Sequence, residues 1–140
     1  LKEVLRRTTG ASIPESKSVF GQGDAGAVIE KMKQLARQVY MAEQLHDALV
    51  RMLGALTPGN EFATEKVDQY VRFGPGPRGA QAVVMMAKVH ALLDGRVNMA
   101  FEDIRRVISS AIRHRLILNF QAEADGVSAD QIIDEVRNAR

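Results

Sequence analysis

The chain has 140 residues, 46% hydrophobic and 26% charged, with 19 basic residues against 17 acidic ones and no cysteine. That length supports one modest core, and the near-balance of charge does not by itself indicate a nucleic-acid binder. The lack of thiols excludes a disulfide scaffold and a thiolate zinc site, and no apolar run is long enough to span a bilayer.

The first stretch, "LKEVLRRTTG", begins without Met and has no signal-peptide apolar segment. It reads as a short helix ending near Gly10, at the start of an excised piece of a longer chain or a partly ordered one. Residues 10–26 are rich in Gly and Ser and read as a linker. They contain "GQGDAG" (21–26), a formal match to a dinucleotide fingerprint, as is "GPGPRG" (74–79). A working fingerprint follows a strand inside a βαβ unit, and no such unit follows here. Asp24 is better placed as the cap of the next helix.

Two helices follow. Val28, Met32, Leu35 and Val39 recur at helical spacing in the first, and Leu45, Leu49, Met52 and Leu56 in the second. "TPGNEF" (57–62) breaks the pattern, and 64–73 predicts a short helix capped by Thr64. After "GPGP" (74–77) a helix is expected over 77–94, with Pro77 at its first turn and Ala80, Val83, Val84, Ala87 and Ala91 on one apolar face. A long helix is expected over 101–118, and a last one from Ser128, where "SADQ" is a capping box. The fold class is therefore all-α, a helical bundle. "VYM" (39–41) and "VNM" (97–99) could pair as one short two-stranded ribbon.

Chemistry-bearing residues are sparse. Ser109 and Ser110 lie mid-helix, where hydroxyls usually bond back to the backbone. His46, His90 and His114 fall on three different predicted helices, so no metal site is expected. The cluster Arg105, Arg106, Arg113, His114 and Arg115 reads as a solvated face paired with Glu102 and Asp103, or as a contact surface. Arg78 is the unusual residue: a cation in the first turn of a helix faces the positive end of the peptide dipoles. It is either a structural arginine or an auxiliary contact for an anion, since a guanidinium fork fits phosphate oxygens. No phosphate-binding loop ending in Gly-Lys-Ser/Thr accompanies it, so the chain holds no complete catalytic centre.

Residues 73–127 resemble the C-terminal helical lid of MoxR-type AAA+ ATPases. The resemblance rests on Gly74, Pro77, Arg78 and Gly79; on Leu93, Gly95 and Arg96; on Val97, Asp103 and Ile104; and on Ile112, Arg113, His114 and Arg115. It extends more loosely through 35–56 and departs at Ala100, where a capping Ser or Thr is usual. It implies that 1–10 end a helix leading from an ATPase core, that 11–26 link, and that 27–140 form the lid. It further implies that Arg78 is the sensor 2 arginine that reaches ATP phosphates, with ATP and Mg held mainly by the core. Arg113, His114 and Arg115 become a possible interface. The implied context is a cytoplasmic ring, expected to be hexameric, with chaperone-like activity and von Willebrand factor A domain partners. The competing reading is a free-standing helical adaptor that binds protein or DNA through 105–115.

Overall fold

The computed structural model describes residues 2–9 and 24–138. The chain divides into two compact units, Leu1–Met32 and Lys33–Arg140.

The first unit holds α1 (Lys2–Thr8) and the start of α2 (Ala25–Gln38). Asp24 caps α2 as expected, its Oδ1 accepting from Ala27 N–H at 3.0 Å. The proposed end of the first helix at Gly10 lies outside the described residues, as does all but 24–26 of the linker and its glycine-rich match. The α2 stripe does not behave as a core face. Val28, Met32 and Leu35 are 41, 61 and 53% exposed, and only Ala36 and Val39 are buried. Helical periodicity marks a face that burial would favour; it does not say that the same chain supplies the cover.

The second unit is built on α5 (Gly76–Leu93) and α6 (Phe101–Ile112), which pack against each other along their lengths. Val83, Ala87 and Ala91 of α5 meet Ile104, Ile108 and Ile112 of α6 in one core. The spacing of these residues places each set on one helical face, and the small alanines let the two backbones approach. Leu49, Met52 and Leu56 from α3 (Glu43–Gly54) and just beyond it, Val67 from α4 (Glu65–Tyr70), and Ile132, Ile133 and Val136 from α8 (Ala129–Asn138) close the core. The capping box at α8 forms, with Ser128 N–H donating to Gln131 Oε1 at 2.8 Å and Gln131 N–H to Ser128 Oγ at 3.3 Å.

Two expected helices are shorter than their sequence pattern. The 64–73 helix stops at Tyr70, and Val71–Phe73 become β1. The 101–118 helix stops at Ile112, and Ile117–Leu118 become β2. The two strands pair antiparallel, Val71 with Leu118 and Phe73 with Ile117. β-branched residues accept either conformation at small cost, so tertiary pairing decides. The segments 39–41 and 97–99 do meet, but as a single parallel bridge at Tyr40 and Asn98; the two-stranded ribbon of the fold lies elsewhere. A further short helix, α7 (Phe120–Ala124), carries no clear apolar period and is announced only by its cap, Asn119 Oδ1 accepting from Ala122 N–H.

Candidate functional site

The ribbon positions the site. β1 runs into the start of α5, and β2 leads away from the end of α6, so their pairing brings the first turn of α5 beside the turn at 113–115. Pro75, Gly76, Pro77, Arg78, His114 and Arg115 line one open cleft of about 640 Å³. Gly76 sits at φ 63°, a left-handed value that an L side chain adopts only with strain, and Pro77 follows in the first helical turn. No side chain caps the first N–H groups of α5.

Arg78 is exposed and, among the described residues, makes no hydrogen bond or ion pair. The stem of Arg115 passes over Gly79, which is buried. A Cβ at Gly79 would lie 3.6 Å from Arg115 Cδ and only 2.8 Å from Pro75 Cβ. Arg115 Nε is enclosed without a hydrogen-bond partner. Among the described residues no carboxylate lines the cleft. Two guanidinium groups thus share a cleft with no anion among the described residues to balance them.

The other ends of α5 and α6 carry the opposite arrangement. Asp103, 1% exposed, accepts from Arg96 Nη1 at 2.8 Å and Nη2 at 2.6 Å, and from Ala100 N–H at 2.8 Å. Ala100 cannot act as a cap itself, so Asp103 reaching back to Ala100 N–H supplies the start of α6. The Arg96 guanidinium beside it, with that backbone bond, holds the Asp103 carboxyl down at about 2. Asp103 in turn raises the already high Arg96, helped by Asp94. His90 Nδ1 lies 3.1 Å from Asp103 Oδ1, and its Nε2 lies 3.0 Å from Arg106 Nη1. Arginine can only donate, so Nε2 accepts and Nδ1 carries the proton. His90, Asp94 and Asp103 bring potential metal-ligand atoms within 4.8 Å of one another. Both Asp103 oxygens are already engaged by Arg96, so a cation there would face a guanidinium; the group is a structural ion-pair network.

The basic residues of 105–115 do not form one face. Arg105 donates to Asn138 Oδ1, Arg106 meets His90, and Arg113 pairs with Asp130 at 3.3 Å. The expected pairing with Asp103 is taken by Arg96 instead. His114 lies beyond the end of α6, in the turn, and not on a helix. Ser109 Oγ, expected to bond back along its helix, is buried without a partner. Sequence reasoning singled out Arg78 but missed its convergence with Arg115, 37 positions later; the pairing of β1 with β2 that creates it leaves only a weak local signal.

Residues 63–136, just over half of the chain, match the AAA lid domain family. The chain is 28% identical over 135 residues to the chaperone MoxR1 of Mycobacterium tuberculosis, covering 96% of this chain and 34% of that protein. It is 32% identical over 69 residues to YeaC, an uncharacterised protein of Bacillus subtilis, covering 49% of this chain and 22% of that one. The crystal structure of a candidate ATPase from Cytophaga hutchinsonii superposes with a TM-score of 0.78 at 26% identity, over 99% of this chain and 42% of that one. The chain thus spans about a third of the length of the chaperone it resembles.

Proposed function

From the premise that the chain belongs to the AAA lid domain family, as a MoxR-type lid, we propose that it serves ATP binding and hydrolysis through Arg78, acting as a sensor 2 arginine. The observation that carries this reading is an exposed guanidinium that, among the described residues, has no partner, at the first turn of α5 and on a cleft that no described carboxylate lines. An unpaired cation held on a rigid helix is preorganised for charge that arrives from outside.

The cleft suits the phosphate end of a nucleotide. Its side chains donate and carry positive charge, and the uncapped α5 N–H groups add to the same field. It does not suit magnesium, which takes carboxylate and water oxygens. Residues outside 27–140 would hold the metal and the adenine. Bound ATP would supply the phosphoryl group; this chain would supply charge stabilisation and a helical body whose position follows the phosphate state. In this reading 1–10 lead from the ATPase core, 11–26 link, and the whole works in a ring with chaperone-like remodelling of other proteins. Von Willebrand factor A domain partners would belong to the same setting. No helix among the described residues is long and apolar enough to cross a membrane.

The test is Arg78→Ala in the full-length ATPase that carries this lid. Turnover should fall by about a hundredfold, as when one preorganised donor is removed from a charge-developing site. Unchanged turnover together with unchanged ATP affinity would remove Arg78 from the reaction.

A further inference from the structure

We infer that Arg115 is a second phosphate-binding residue of this cleft, delivered by the α6–β2 turn to face Arg78. The inference rests on the reading of the cleft as the phosphate end of a nucleotide site and adds a residue to it.

Four observations converge. Arg115 and Arg78 line the same cleft although they come from opposite ends of the α5–α6 pair in sequence. The stem of Arg115 is seated: it lies over buried Gly79, with Cδ 3.6 Å from where a Cβ would stand. The Nε of Arg115 is enclosed yet unbonded. A guanidinium has five donors and no acceptor, and with Nε enclosed it is the terminal nitrogens of Arg115 that remain for an incoming acceptor. Finally, the neighbouring Arg113 turns to Asp130, whereas among the described residues no acid pairs with Arg115. Two like charges sharing a site without an anion repel each other, and a polyphosphate between them converts that repulsion into attraction on both sides. His114, on the same rim, adds a further donor.

The arrangement differs from a structural arginine in a way that can be measured. Equilibrium titration of the full-length ATPase with ATP, with inorganic tripolyphosphate as competitor, and with adenosine separates phosphate contact from general folding. Arg115→Met keeps the stem over Gly79 and removes the charge. It should weaken ATP and tripolyphosphate by about tenfold, leave adenosine unchanged, and keep the thermal midpoint near that of the parent. Arg113→Ala should leave all three affinities as they are. Should Arg115→Met not fold, Arg115→Gln is read the same way.

If Arg115→Met binds ATP and tripolyphosphate like the parent while Arg78→Ala does not, Arg115 has no part in the grip and the sensor reading of Arg78 stands. If neither substitution changes polyphosphate affinity and turnover also survives, both ideas fall together. If Arg115→Met weakens ATP and adenosine alike, Arg115 acts through the fold, and the inference is overturned.

Discussion

The two ends of the α5–α6 pair each hold an arginine in a decisive position, and they treat it in opposite ways. At one end Arg96 is saturated: Asp103 takes both of its terminal nitrogens, Asp94 adds a third contact at 3.1 Å, and His90 and Ala100 N–H complete the carboxylate. At the other end Arg78 has no partner among the described residues and shares its cleft with the under-bonded Arg115. The residue type is the same and the adjoining helices are the same. What differs is whether the chain provides the counter-charge. A saturated arginine holds two elements together; an unsaturated one, kept on a rigid frame, is left for something that binds.

Substitutions should split along this line. The largest effect is expected at Asp103. Asp103→Ala strands Arg96 and uncaps α6, and should cost about 3 kcal/mol in denaturant or thermal unfolding, somewhat below the cost of breaking a fully enclosed pair because Arg96 is partly exposed. Nucleotide affinity of the folded fraction should not change. The same carboxyl sets an acid limb. Its folded value of about 2 lies below the ordinary 3.8, so its contribution is complete above that ordinary value and is lost as pH falls towards 2. Asp103→Asn should flatten the stability profile over that window and lower the plateau above it. A plateau equal to the parent's would mean the pair contributes nothing.

Arg78→Ala is expected to do the reverse, with about a hundredfold in turnover and a thermal midpoint close to the parent's. A large loss of stability would place Arg78 with Arg96 and erase the contrast. Gly79→Ala falls between the two. Its new Cβ would sit 2.8 Å from Pro75 Cβ, so Pro75, which lines the cleft, must shift; a cost of about 1–2 kcal/mol is expected together with weaker polyphosphate binding. At the small end, Lys66→Met removes an exposed pair with Glu135 at 2.7 Å and should shift unfolding by less than about 1 kcal/mol.

How much of this was legible in the sequence depends on the range of the interaction. Local signals held: Asp24, Thr64 and the Ser128–Gln131 box all cap the helices they precede. The apolar faces of α5 and α6 were readable from 3.6-residue spacing and are buried together. Signals that need a partner from elsewhere were not readable. Val71–Phe73 and Ile117–Leu118 continue helical patterns and become strands because they find each other. The stripe of 28–39 has the spacing of a core face, yet Val28, Met32 and Leu35 stand exposed and only Val39 joins the core. The site divides in the same way. Arg78 was conspicuous beside its prolines and glycines, whereas Arg115 was marked only with Arg113 and His114 as a possible interface. Only the turn after Ile112 separates it from Arg113 and directs it to the cleft.

The most direct measurement is structural: the distance from the Arg78 guanidinium to the γ-phosphate in the full-length assembly bound to a non-hydrolysable ATP analogue. A separation of about 2.7–3.2 Å, the range of a charge-assisted hydrogen bond, is the predicted result. A guanidinium turned away from the nucleotide and paired with a carboxylate of another subunit or of the core would contradict the account.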